Sequence, residues 1–241
     1  MEEEVTEDAY KAGEELEEKL KTKWCNGIEC VDDFHKLYER NRIWEKNTWL
    51  GIPCWKLPMD AFVIQELIFK TRPTYIIETG TGHGGSALFY ASICELIGHG
   101  RVASIDNDSE KFNSTLNKWG NLKCADRITF FKGDSVEIAQ TIKQMDQIKD
   151  NNCMVILDSW HTMEHVYNEM LVYSELVKSG GYMIVEDSHA AGNPVPWEYD
   201  DYGPMGAITK WLHLYGDEWE ADYSCHKHKV TFNPRGYLIR K

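Results

Sequence analysis

The chain has 241 residues, enough for one α/β domain with an appendage. Its 42% hydrophobic and 27% charged residues allow a full-sized core. A net charge of −13 argues against a general affinity for nucleic acid or anionic membranes. No apolar stretch approaches the roughly 20 residues of a membrane span. Met1-Glu2-Glu3-Glu4 is not the start of a signal peptide. Seven cysteines (Cys25, Cys30, Cys54, Cys94, Cys124, Cys153 and Cys225) form no C-x-x-C pair and read as reduced thiols of a cytoplasmic protein.

Residues 1–23 are rich in Glu and Lys, with Val5, Ala9, Ala12, Leu16 and Leu20 at helical spacing. Asp32–Trp49 reads as a second helical stretch. Gly51-Ile52-Pro53 and Leu57-Pro58 then break the pattern, and Trp49–Asp60 is an aromatic, proline-bearing loop. Met59–Lys70 is helical, and Arg72-Pro73 ends it. From there strands and helices alternate: strands at Tyr75–Ile77, Arg101–Ile105, Ile128–Phe131, Met154–Leu157 and Tyr182–Val185, and helices at Ala87–Ile93, Glu110–Trp119, Val136–Ile148, Thr162–Val177 and Met205–Tyr215. Such alternation predicts a mainly parallel sheet with helices on both faces. Lys229–Phe232 and Tyr237–Arg240, joined by Asn233-Pro234-Arg235-Gly236, predict a terminal hairpin that adds an antiparallel edge strand.

The stretch Tyr75–Ser86 organises the rest. An apolar strand ends in Glu78, and Gly80, Gly82, Gly84 and Gly85 follow before a helix begins. Glycines at a strand-to-helix turn let a ligand approach the backbone, and the helix start offers unpaired N–H groups. A carboxylate at Glu78 does nothing for a pyrophosphate. It suits a cofactor with a cationic amino-acid end, such as S-adenosylmethionine. Ligands of open parallel sheets sit outside the carboxyl ends of the strands, and each strand brings an acid there: Glu78, Asp106, Asp134 (followed by Ser135), Asp158, and Glu186 with Asp187. Asp106 suits ribose hydroxyls. Asp134 suits an adenine amino group or, equally, the cap of the next helix.

Asp158, Glu186 and Asp187 fall on adjacent strand ends, where unpaired carboxylates repel and a hard divalent cation such as Mg²⁺ relieves them. His161, three residues past Asp158, is placed to take a proton from a hydroxyl held there. His161-Thr-Met-Glu164-His165 also matches a zinc-protease pattern, H-x-x-E-H. However, His165 lies off the apolar stripe of its helix and is expected to face solvent or a partner.

These residues together resemble class I S-adenosylmethionine-dependent methyltransferases, and more narrowly the cephalosporin hydroxylase / rhamnosyl O-methyltransferase family. The resemblance runs from about Trp49 to the C-terminus. It is carried by Gly51-Ile-Pro53 with Pro58-Met-Asp60, Ile77-Glu78-Thr-Gly-Thr81 with Gly84-Gly-Ser-Ala87, Gly98-His-Gly-Arg101, Ile156-Leu-Asp158-Ser-Trp-His161, Val185-Glu186-Asp187, Gly203-Pro-Met205 and Thr231-Phe-Asn-Pro. It implies a Rossmann-like sheet of seven strands, a methyl donor in the glycine cleft, Mg²⁺ on Asp158, Glu186 and Asp187, cytosolic oligomers, and tailoring of natural products or sugars. Related sugar methyltransferases often carry a second acid where this chain has Trp160, so the proton-accepting role moves to His161.

The reading is a helical extension over residues 1–50 and a methyltransferase domain over 51–241, catalysing Mg²⁺-assisted O-methylation of a small hydroxylated molecule. Glu78, Gly80, Thr81, Gly82, Gly84, Ser86, Asp106, Asp134 and Ser135 form the donor site. Lys56 reaches the donor's carboxylate or the substrate. Asp158 and His161 carry the chemistry. Trp160, His189, Trp197 and Tyr199, with Trp49 and Trp55, are candidates for the substrate pocket, and Ala190–Tyr202 is a candidate lid. The rival readings are a hydroxylase or nicotinamide oxidoreductase on the same fold, with iron on His161, His189 and a carboxylate as one form, and a non-catalytic donor-binding protein.

Overall fold

A computed structural model describes residues 29–119, 122–148, 151–196 and 201–241. The expected helix in residues 1–23, and Trp197 and Tyr199, lie outside the described residues. Helix α1 (Glu29–Arg40) is followed by a 3₁₀ turn (Ile43–Lys46) and a small antiparallel pair, β1 (Thr48–Trp49) and β2 (Ile52–Pro53). The single long helix expected over Asp32–Trp49 therefore stops early, and Arg42 turns left-handed at φ 47°. Helix α2 (Pro58–Thr71) has proline in its first turn, where no N–H is missed.

The main sheet follows: β3 (Tyr75–Thr79), α3 (Gly85–Leu96), β4 (Arg101–Asp106), α4 (Glu110–Trp119), β5 (Ile128–Lys132), α5 (Ser135–Gln144), β6 (Cys153–Leu157), α6 (Met163–Tyr173), β7 (Tyr182–Val185), α7 (Gly203–Tyr215), β8 (Trp219–Ala221) and β9 (Tyr237–Arg240). The strand order is β5-β4-β3-β6-β7-β9-β8. Neighbours pair in parallel from β5 to β7, and β9 runs antiparallel to both β7 and β8. The fold is thus a Rossmann-like, mainly parallel seven-stranded sheet with helices on both faces.

Alternation along each strand sorts the core into two layers. Ile76, Val102, Met154, Ile156 and Ile184 face α2, α3 and α4 through Ile64, Ile68, Leu88, Tyr90 and Phe112. Ile77, Ala103, Val155, Leu157 and Met183 face α5, α6 and α7 through Ile142, Met170, Tyr173, Ile208 and Trp211. Strands β3, β6 and β7 are buried along their whole length, as parallel strands covered on both faces must be. That is why their acids appear only where the strands end.

The terminal hairpin is not formed. Tyr237–Arg240 pairs with Tyr182–Ile184 and with Trp219–Ala221, and Lys229–Phe232 is not a strand. The backbone N of Phe232 donates to Asp60 Oδ2 at 2.8 Å and the Thr231 hydroxyl to Asp60 Oδ1 at 2.5 Å, so this segment is tied to the first turn of α2. The antiparallel strand consequently stands one place in from the edge. Among the described residues, no helix is long and apolar enough to cross a membrane. The six described cysteines are free, and all but Cys30 are buried.

Candidate functional site

A cavity of about 520 Å³ opens at the carboxyl ends of β3, β4, β6 and β7. One wall is the glycine turn after β3. Gly80 sits at φ +83°, and a Cβ there would meet the carbonyl oxygen of Asp158 at 1.8 Å, so only glycine lets the β3 and β6 loops cross. Gly82, at φ +52°, has open space where its Cβ would be. Its N–H donates to Asp106 Oδ2 at 2.9 Å, which ties the turn to the end of β4. Asp106 Oδ1 accepts from Asp108 N at 2.9 Å. Each carboxylate oxygen keeps a further acceptor position for a ligand. Gly84 does not line the cavity: a Cβ there would meet Trp119 at 2.7 Å, so it serves packing.

Beneath the turn lies Glu78, fully buried. Ser104 Oγ donates to its Oε2 at 2.6 Å, and Thr81 Oγ1 stands 2.6 Å from Ser104 Oγ. Because the Ser104 proton is spent on Glu78, Thr81 donates to Ser104. Glu78 Oε1 has no hydrogen-bond partner. Burial pushes the Glu78 carboxyl up to about 7, although Lys56 and the hydroxyls of Ser104 and Ser86 favour its ionised form.

At the far end stand the later acids. Lys56 Nζ donates to Asp158 Oδ2 at 2.6 Å and to Glu186 Oε2 at 2.5 Å. Burial works to discharge Lys56, but the two carboxylates outweigh it and hold its pKa well above the lysine range. One ammonium serves two carboxylates here, and burial leaves Glu186 well above the ordinary range despite Lys56. Of the three acids expected together, Glu186 is thus turned to Lys56. Asp158 and Asp187 come together with His161 instead, their ligand atoms all within 4.8 Å of one another. His161 Nε2 lies 3.3 Å from Asp187 Oδ2 and 3.8 Å from Asp158 Oδ1.

His189 lines the cavity although it is buried. It stacks on Phe232 with ring centroids 4.2 Å apart, and its Nδ1 is 3.1 Å from the Phe232 carbonyl. That contact fixes the proton on Nδ1 and leaves Nε2 as a lone pair. Burial lowers its pKa to about 3, so the ring is neutral. His189 Nε2 lies 4.0 Å from Glu39 Oε2, and the group of ligand atoms that converges on His161 does not include His189. Trp44 and Trp55 meet edge-on at 5.2 Å, and Trp55 meets His83 at 5.1 Å, forming an aromatic wall over the opening.

Other expected residues lie elsewhere. Asp134 is exposed and caps α5, its Oδ1 accepting from Val136 N and Glu137 N at 2.9 and 3.1 Å. Ser135 is buried, 3.2 Å from His165 Nε2. Trp160 is 54% exposed and Trp49 packs edge-on against Phe89; neither lines the cavity. His165 is only partly exposed: Ser159 Oγ is 3.0 Å from its Nε2 and donates to the buried Glu169 at 2.7 Å. These polar partners draw it inward, away from His161, so the H-x-x-E-H pattern does not converge on one ion. The cavity also takes Glu39 from α1, and Lys111 from α4 lies over the Trp55 ring at 5.1 Å. Nothing in the charge-rich pattern of α1 singles out Glu39.

A family model described as Rhamnosyl O-methyltransferase/CmcI matches residues 41–241. A rhamnosyl O-methyltransferase of Mycobacterium bovis is 33% identical over 218 residues, covering 87% of this chain and 84% of the relative. That of Mycobacterium leprae is 32% identical over 215 residues, covering 88% and 90%. Among solved structures, CmcI with Mg and S-adenosylmethionine superposes with a TM-score of 0.62 at 22% identity, over 82% of this chain and 77% of the other. The O-methyltransferase TomG of Streptomyces achromogenes, in complex with S-adenosylmethionine, superposes with a TM-score of 0.51 at 20% identity, over 66% and 68%. These two likenesses concern the fold.

Proposed function

The chain belongs to the rhamnosyl O-methyltransferase/CmcI family, and from that premise we propose that it transfers a methyl group from S-adenosylmethionine to a hydroxyl of a small molecule, a sugar unit or a natural product, with a divalent cation at the acceptor end. The supporting observation is that one cavity joins two chemistries. The glycine turn and Asp106 line one side, and Asp158, His161 and Asp187 line the other.

The residues fit such a donor. Gly82 leaves open space beside the turn, and Asp106 keeps acceptor positions for two ribose hydroxyls. The buried Glu78 supplies negative charge under the donor's cationic end, and about 520 Å³ suits a ligand of this size. When bound, the donor supplies the electrophilic methyl carbon, and a cation would lower the pKa of the acceptor hydroxyl. The chain's own share is placement: donor and acceptor meet in one cavity, so positioning supplies much of the rate. The two carboxylates and the imidazole are the groups beside the acceptor's proton. Trp44 and Trp55 keep water from the opening and offer apolar faces to a sugar ring or aromatic acceptor.

Calorimetric titration with S-adenosylmethionine, with and without a divalent cation and beside NADH, tests this reading. Micromolar donor binding that Asp106→Ala abolishes supports it. Preference for NADH, or no donor binding, sinks it.

A further inference from the structure

The cavity reaches past Asp187 to a second polar corner. Glu39 of α1 and His189 both line it, with Glu39 Oε2 4.0 Å from His189 Nε2. His189 is 3% exposed, and its Nε2 has no hydrogen-bond partner. Its Nδ1 faces the Phe232 carbonyl and holds the ring proton, so Nε2 accepts hydrogen bonds, as does the carboxylate opposite. At 4.0 Å the two are too far apart to bond each other. Glu39 also lacks a lysine or arginine partner: among the described residues it faces His189 alone, and the nearby Arg42 is paired with Glu45. Burial and the charge of Asp187 raise the Glu39 pKa, as expected of a carboxylate short of positive charge.

We propose that Glu39 and His189 hold a protonated primary amine of the methyl-accepting substrate, which makes that substrate an amino alcohol such as an amino sugar. This deepens the proposed function and rests on it for the methylated hydroxyl. Two acceptors facing one gap call for a donor with two hydrogens. A nitrogen about 2.8 Å from both atoms sees them at roughly 90°, close to the angle between two N–H bonds. A hydroxyl has one hydrogen and serves one side only. A bridging water serves both but brings no charge to Glu39, whereas an ammonium does both. An amide nitrogen with one N–H and no charge meets neither requirement. Trp44 and Phe232 line the same cavity, and aromatic faces attract cations. His189 sets the spacing, with Nδ1 3.8 Å from Asp187 Oδ1 and Nε2 turned to Glu39. The amine thus sits about one imidazole width from the methylation end, so its carbon neighbours the hydroxyl-bearing carbon or lies one further along.

The test is a ligand-observed NMR titration of the full chain with D-glucosamine, N-acetyl-D-glucosamine and D-glucose, at about pH 6, where the amine is charged. D-Glucosamine should bind at least about tenfold more tightly than the other two. Glu39→Gln should cut that preference to within about threefold while keeping affinity for S-adenosylmethionine, which reports that the variant is folded. Asp33→Asn removes an exposed charge from the same helix, outside the cavity lining, and should keep the preference. No binding of D-glucosamine, equal binding of the three sugars, or a preference that survives Glu39→Gln would overturn the proposal. So would its loss in Asp33→Asn as well, which would assign it to general charge. Donor titration on the same samples separates the two readings. An amine preference without donor binding removes the methyl-transfer function and leaves the amine site; donor binding without the preference does the reverse.

Discussion

Lys56 and Glu186, separated by 130 positions in the chain, meet at 2.5 Å with side chains 3% and 6% exposed. A buried pair of this kind costs much to break from one side, because the remaining charge stays desolvated. Lys56→Met leaves Glu186 and Asp158 without their cation, so unfolding free energy should fall by about 3–5 kcal/mol. Lys56→Met/Glu186→Gln removes both charges of the pair and should recover part of that loss. Denaturant titration of the wild type, both single variants and the double variant measures the coupling. Strictly additive losses would mean that the two residues do not interact.

The glycines of the turn should separate sharply under alanine substitution. A Cβ on Gly80 would sit 1.8 Å from the Asp158 carbonyl oxygen, which is backbone and has no room to yield. Gly80→Ala should therefore displace the start of the β6 loop and abolish donor binding along with stability. A Cβ on Gly82 meets nothing within 4 Å, and the cost is confined to a left-handed φ of +52°, roughly 1–2 kcal/mol. Gly82→Ala should stay folded but bind the donor more weakly, because its open side faces the cavity. Equal stability of the two variants would contradict this account.

These two cases mark where the sequence is informative. The position of Gly80 follows from a local pattern, strand then turn then helix, and so does the placing of Asp106, Asp158 and Asp187 at strand ends. The partner of Lys56 does not follow from any pattern. It depends on the loop before α2 passing over the ends of β6 and β7, which is a tertiary event. Glu39 is hidden for the same reason: it belongs to a charged helix whose register over the cavity is set by His35 and Tyr38 packing on His189 and Phe232. Lys229–Phe232 has strand propensity, but Asp60 takes its backbone N–H before a neighbour can. His165 reads as facing solvent or a partner because the helix stripe counts apolar contacts, whereas Ser159, Ser135 and Glu169 draw it in by polar ones.

Asp60 joins the two halves of the chain. Its carboxylate, 2% exposed, accepts from Thr231 Oγ1, Tyr237 Oη and Phe232 N at 2.5, 2.8 and 2.8 Å. Removing it strands buried donors, each worth about 1–3 kcal/mol when left unsatisfied and not fully additive. Asp60→Ala should cost at least about 3 kcal/mol in denaturant unfolding. Since Phe232 carries the His189 ring at 4.2 Å, the variant should also disturb the acceptor end. Hydrogen exchange would show this as faster exchange at the His189 amide, which donates to the Phe232 carbonyl. Unchanged protection there would confine Asp60 to a local role.

Glu78 predicts opposite pH responses of stability and donor affinity. Burial raises its carboxyl from the ordinary 4.5 to about 7 in the folded chain, against the pull of Lys56 and the Ser104 and Ser86 hydroxyls. Between those two values the folded chain keeps a proton that the unfolded chain has lost. The contribution to stability is therefore complete below pH 4.5 and is lost as pH rises through about 7. Glu78→Gln has no such titration, so the wild type's stability relative to the variant should shrink from pH 5 to pH 8, by about 1.4 kcal/mol per unit of pKa shift. A cationic donor group is best served by the ionised carboxylate. Wild-type affinity for S-adenosylmethionine should thus rise, relative to that of Glu78→Gln, as pH passes about 7. Denaturation midpoints and calorimetric titrations at matched pH check both signs. Parallel profiles for the two proteins would show that Glu78 does not titrate in this range.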